Sequence, residues 1–124
     1  MSEFNRPIYK AREGAGVWIF KIFAGLFIVL LLGLHFVVNH LVAPGGLLSY
    51  ADVVAYYQVP IIPIIEGIFL ILVVSHALVG LRSIILDLNP TDQVLKIVTI
   101  LFWVIGVAAV AYGIWLLVVM AGRG

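Results

Sequence analysis

Two histidines, His35 and His76, lie deep inside long apolar stretches of this 124-residue chain. An ionisable side chain inside a membrane is energetically costly, so such residues usually face a partner, a cavity or a cofactor. A neutral imidazole is a common axial ligand of haem iron, and it can also form a hydrogen bond between helices. These two histidines are therefore the first candidates for chemistry in the chain.

The composition assigns the chain to a membrane. Hydrophobic residues make up 65% of it and charged residues only 10%, whereas a soluble domain carries roughly 25% charged residues. The absence of cysteine excludes disulfides, thiolate metal sites and a covalently attached c-type haem. A net charge of +1 gives no reason to expect a nucleic-acid partner.

The pattern of apolar runs predicts an all-α integral membrane protein with a single membrane domain over residues 1–124. A transmembrane helix needs about 20 apolar residues, so the chain has room for about three of them and for little else. The sequence Ala43-Pro44-Gly45-Gly46 ends the first apolar run. The three predicted spans cover about residues 17–42, 60–88 and 95–120.

A short helix is predicted between the first two spans, at about residues 49–57. Ser49 and Asp52 have the spacing of a capping box at a helix start. Tyr56 and Tyr57 favour the headgroup level of a bilayer, so we expect this helix to lie in the interface. An ordinary loop with one helical turn is the alternative.

The placement of basic residues predicts the orientation in the membrane. Lysine and arginine precede the first span and flank the second connection, but none occurs in residues 43–59. We therefore expect the N-terminus and the second connection to be cytoplasmic, with the first connection and the C-terminus on the outer side. The basic residues concerned are Arg6, Lys10, Arg12, Arg82 and Lys96.

The two histidines lie at different depths in their predicted spans. At a rise of about 1.5 Å per residue, His35 lies roughly 10 Å and His76 roughly 24 Å from the outer ends. Axial ligands of one iron are only about 4 Å apart, because each bond from iron to nitrogen is about 2 Å. His35 and His76 therefore cannot share a haem. If both are ligands, there are two haems, and each needs a second ligand from elsewhere. Hydrogen bonding between helices remains the alternative for each.

Other residues near the histidines suggest more specific roles. Gly80 lies one turn after His76 on the same helix face, where it leaves space for a flat macrocycle. Glu66 lies roughly 10 Å inside the second span, so we expect it to be protonated or paired. If a haem lies at His35, Glu66 could carry protons near it; the alternative is a structural hydrogen bond to a neighbouring helix. His40 is expected at the interface or near a haem propionate.

One segment resembles a known family. His76-x-x-x-Gly80-Leu81-Arg82-x-x-x-x-Asp87 closely resembles the second transmembrane helix of the smaller hydrophobic anchor subunit of succinate dehydrogenase. The first span is similar to that of prokaryotic anchors, with the sequence Trp18-x-x-Lys21-Ile22-x-Ala24-Gly25 followed by His35. The three-span plan agrees, so the resemblance covers nearly the whole chain.

The resemblance implies a site for each candidate residue. The first two spans would join two helices of a sister cytochrome b anchor subunit in a four-helix bundle that binds haem b. His76 would be the axial ligand of the proximal haem, nearer the iron–sulfur subunit, and His35 the ligand of a distal haem. Asp87 would lie near a quinone, although Leu88 replaces the tyrosine that often follows it. Arg82 could pair with a haem propionate or extend to the membrane surface, and Lys21 could approach a propionate or the quinone.

The resemblance also implies a function. The chain would be the membrane anchor of a succinate:quinone oxidoreductase (complex II) in the plasma membrane of a prokaryote. Electrons would pass from succinate through the flavoprotein and iron–sulfur subunits to menaquinone or ubiquinone. The chain itself would carry no succinate chemistry. Alternatives are the anchor of a fumarate reductase, or of another haem-b quinone oxidoreductase, and a small non-redox membrane protein with structural histidines.

Overall fold

The computed structural model describes residues 13–124, which form helices and short connections without any strand. The basic residues Arg6, Lys10 and Arg12, on which part of the predicted orientation depends, lie outside the described residues. A π-helical stretch, Val37–Val42, extends the first helix, and a turn of 3-10 helix follows at Pro44–Gly46. The four α-helices are α1 (Ala15–Phe36), α2 (Tyr50–Tyr57), α3 (Ile61–Asp87) and α4 (Asp92–Ala121).

Three helical segments are long and apolar enough to cross a membrane: Ala15–Val42, Ile61–Asp87 and Asp92–Ala121. Each exceeds the roughly 20 residues that the hydrocarbon core requires. The predicted fold class, an all-α membrane protein with three spans, is confirmed.

The helix starts follow the capping signals in the sequence. The backbone N–H of Asp52 donates to Ser49 Oγ at 3.3 Å, and the N–H of Ser49 donates to Asp52 Oδ2 at 2.8 Å. This reciprocal capping box satisfies two N–H groups that the start of α2 would otherwise leave unpaired. Thr91 caps α4 by accepting from the N–H of Val94 at 3.3 Å. Asn89 has a φ of 52° in the turn before it, a conformation that asparagine tolerates.

The central helix of the described structure is α3, which packs against both α1 and α4. Its contact with α4 depends on glycines that admit leucine side chains from α3. Leu70 lies against Gly113, and a Cβ atom at residue 106 would lie 2.8 Å from Leu78 Cδ1. Small residues let membrane helices approach closely, which gains van der Waals packing where no hydrophobic driving force exists.

The contacts between helix ends define two sides of the protein. Lys21, near the start of α1, bonds Ser83 near the end of α3. On the opposite side, Arg123 donates to the Tyr50 hydroxyl at 2.9 Å and thereby joins the C-terminus to α2. Only Ala24 and Ala43 are buried among the described residues. Nearly the whole apolar surface is therefore available to lipid or to other membrane helices.

Candidate functional site

Each of the two histidines contacts the neighbouring helix, and the two contacts lie at different heights along α1 and α3. His76 of α3 lies against Gly25 of α1, and His35 of α1 lies beside Glu66 of α3. Ten residues separate Gly25 from His35 on one helix, and ten separate Glu66 from His76 on the other. At about 1.5 Å per residue, both helices place the two levels about 15 Å apart. This separation agrees with the sequence prediction that the histidines lie at different depths.

The imidazole of His76 fills the space that Gly25 leaves free. A Cβ atom at residue 25 would lie only 3.2 Å from His76 Cε1. The Nδ1 atom of His76 is buried and has no hydrogen-bond partner among the described residues. An unsatisfied buried polar atom costs about 1–3 kcal/mol, so this ring needs a partner that the described part of the chain does not provide.

Gly80 leaves a second open space beside His76. A Cβ atom built at residue 80 would meet no neighbouring atom of the described residues within 4 Å. Since Gly80 lies one turn after His76 on α3, the surface next to the imidazole stays flat and unfilled. This agrees with the expectation that a macrocycle could lie there.

The ring of His35 has two neighbours on α3. Its Nδ1 lies 3.3 Å from Glu66 Oε1, and its ring stacks near Phe69 with the centroids 6.5 Å apart. The side chain of His35 is 46% exposed, whereas that of Glu66 is 16% exposed. Glu66 is therefore paired, which was one of the two states expected from its depth.

A polar cluster lies at the other end of α1, near the second connection. Lys21 Nζ donates to Glu13 Oε2 at 2.5 Å and to Ser83 Oγ at 2.8 Å, and Ser83 also donates to Glu13. These hydrogen bonds lower the pKa of the Glu13 carboxyl below its ordinary value. The structure thus gives Lys21 two partners within the chain.

Arg82 and Asp87 follow His76 along α3, toward the end of that helix. The Nε of Arg82 donates to Thr99 Oγ1 on α4 at 3.2 Å, so the side chain follows the contact of α3 with α4. Asp87 is the last residue of α3 and is exposed. His40 lies outside both histidine levels, with its Nδ1 3.2 Å from the Gly46 carbonyl oxygen.

The contact of His76 with Gly25 is the feature that the sequence analysis missed. The ten-residue spacing that relates Gly25 to His35 also relates Glu66 to His76. Because the two helices are antiparallel, this equal spacing could have predicted that His76 lies at the height of Gly25 and His35 at the height of Glu66.

The donor atoms fit haem better than a bare metal ion. Within residues 13–124, no group of three or more histidine, aspartate or glutamate side chains could hold a metal ion. A haem supplies four nitrogen ligands itself and needs only axial ligands from protein. One imidazole at each level, with an unpartnered nitrogen and a flat glycine surface at His76, fits that requirement.

Comparison with known proteins agrees with these features. The model of the family described as "Succinate dehydrogenase/Fumarate reductase transmembrane subunit" matches residues 3–115, a range that includes both histidines. The chain is also similar to the succinate dehydrogenase hydrophobic membrane anchor subunit of Archaeoglobus fulgidus, with 33% identity over 100 residues. Those residues cover 81% of this chain and 85% of that protein. No solved structure matches the chain.

Proposed function

Because the chain belongs to the family of succinate dehydrogenase and fumarate reductase transmembrane subunits, we propose that it binds haem b at two levels and supports electron transfer to a quinone. Its role as a multi-pass membrane anchor subunit follows from the family and from its three apolar helices. We assign the axial ligands of this chain to His76 for the proximal haem and His35 for the distal haem.

The separation of the two histidine levels is the observation that carries the proposal. Two ligands of one iron lie about 4 Å apart, whereas these levels are about 15 Å apart along either helix. A single haem cannot use both residues, so each haem takes its other axial ligand from a second chain. The unpartnered Nδ1 of His76 supports the same conclusion, since this atom has no hydrogen-bond partner within the described residues.

The second chain would be a sister cytochrome b anchor subunit. We propose that α1 and α3 pack with two of its helices to form a four-helix bundle around the haems. The exposed apolar surface of α1 favours such a partner, because most of its large apolar side chains are exposed in this chain. Haem b, when bound, takes up and releases single electrons. The chain holds it by ligation, leaves space for it at Gly80 and excludes water with apolar side chains.

The charged residues near the second connection would face the quinone and the soluble subunits. We propose that Asp87 lies near the quinone, a menaquinone or ubiquinone, and that Lys21 lies near the quinone or a propionate. Arg82 could still reach a propionate, because its bond to Thr99 uses only Nε and a guanidinium has five N–H donors. This end would be cytoplasmic in a prokaryotic plasma membrane and would contact the iron–sulfur subunit, which in turn binds the flavoprotein.

A non-redox role is the second candidate function. The pairing of His35 with Glu66 favours it, since polar side chains of this kind can simply join two membrane helices. A reduced-minus-oxidised spectrum of membranes that contain the assembled complex separates the two functions. Haem b absorption is expected, and its absence would overturn the haem proposal.

A further inference from the structure

The geometry points to Glu66 as the positioning residue of the distal haem site: we propose that it accepts a hydrogen bond from Nδ1 of His35 and so orients Nε2 toward the iron. This inference rests on the proposed function, because it assumes that His35 is a ligand. It concerns a residue of α3 that does not touch the haem iron itself.

The carboxyl group of Glu66 lies beside the Nδ1 atom of the His35 ring. Glu66 Oε1 lies 3.3 Å from Nδ1 of His35, just beyond the roughly 2.7–3.2 Å over which an N–H group usually donates to oxygen, so a small movement of either side chain completes the bond that we propose. A proton held on Nδ1 leaves the lone pair of Nε2 free for a metal. Glu66 therefore selects the tautomer that can ligate through the nitrogen farther from the backbone.

A second side chain of the same helix lies beside the imidazole ring. Phe69, three residues after Glu66, stacks near His35 with an interplanar angle of 26°. Residues three apart on a helix face the same side, so α3 presents one polar and one aromatic contact to the imidazole. Together they favour one orientation of a side chain that is otherwise 46% exposed.

A hydrogen bond between Glu66 and His35 should change the midpoint potential of the haem. Histidines that bind metals commonly donate their other N–H to a carboxylate, which fixes the ring and raises its basicity as a ligand. A more basic ligand stabilises ferric over ferrous iron, so the hydrogen bond lowers the midpoint potential of the haem. A purely structural contact between α1 and α3 would not change that potential.

The test uses the assembled complex with Glu66→Leu, which removes the acceptor, and Glu66→Gln, which keeps an acceptor oxygen. A redox titration followed by haem absorption gives the potentials, and loss of one component in His35→Ala identifies the distal haem. We expect Glu66→Leu to raise the distal potential by about 59 mV, equivalent to a tenfold change in the ferric-to-ferrous preference. Glu66→Gln should recover much of that shift, and the proximal potential should stay constant.

The matched control is Glu13→Gln, which changes a glutamate just before the start of α1, at the end of that helix away from His35. It should leave the distal potential unchanged. If both Glu66 variants retain two haems with unaltered potentials, Glu66 is only a contact between helices and the inference is wrong, while the haem proposal stands. If the unmodified complex contains no haem b, the proposed function itself fails.

Discussion

The imidazole of His76 lies so close to Gly25 that a Cβ atom at residue 25 would be 3.2 Å from its Cε1. Contacts of this length require one of the two groups to move by a few tenths of an ångström. Gly25 on α1 therefore helps to determine where the ring on α3 can sit, and with it the direction of any bond to iron.

Gly25→Ala should disturb the proximal haem without weakening α1, because alanine favours a helix over glycine by about 1 kcal/mol. We expect haem affinity at that level to fall by about tenfold, the lower range for changes that misorient a metal ligand. The haem content per flavin of the purified complex measures this. Gly33→Ala is the matched control, since a Cβ atom at residue 33 meets no neighbour within 4 Å. Equal haem content in both variants would show that the contact is unimportant.

The open surface at Gly80 provides a steric test of the same haem. A Cβ atom at residue 80 would meet no neighbouring atom of the described residues within 4 Å, so we expect Gly80→Leu to leave the packing of α3 on its neighbours largely intact. We expect it to displace the haem at His76 while the haem at His35 remains, with a smaller effect for Gly80→Ala. Difference spectra of the two variants measure the loss. Full occupancy of both haems in Gly80→Leu would exclude a macrocycle from this surface.

Asp87→Asn tests the quinone side. The residue ends α3 and is exposed, so the substitution should leave both haems bound. If its carboxyl group assists proton transfer to the quinone, succinate-dependent quinone reduction should slow by about 100-fold, the lower range for a positioned acid or base. Reduction of a soluble dye by the same preparation controls for the flavoprotein and iron–sulfur subunits. Unchanged quinone kinetics would make Asp87 a helix-end residue without a role in the reaction.

Much of the architecture could be predicted from the sequence because the strongest signals are local. Apolar runs, the capping box at Ser49 and the Thr91 cap each act within a few residues, and the structure contains all of them. Depth along a helix depends only on residue number, which is why the separation of His35 and His76 was also predictable.

The lateral contacts could not be predicted in the same way. The helix α3 is apolar on all sides, so its periodicity does not indicate which face meets α1 and which meets α4. The match of His76 with Gly25, and the bond from Arg82 to Thr99, depend on that rotation. A long arginine side chain can reach several neighbours, and its position in the sequence does not choose among them.

The haem content of the complexes carrying His35→Ala and His76→Ala tests the central claim most directly. Pyridine haemochrome assays against flavin give the number of haems, and redox titration shows which one is missing. We predict two haems b in the unmodified complex and the loss of a different one in each variant, because the two ligands lie about 15 Å apart. Retention of two bis-histidine haems in either variant would contradict the assignment of that ligand. Loss of the same single haem in both would contradict the two-level account.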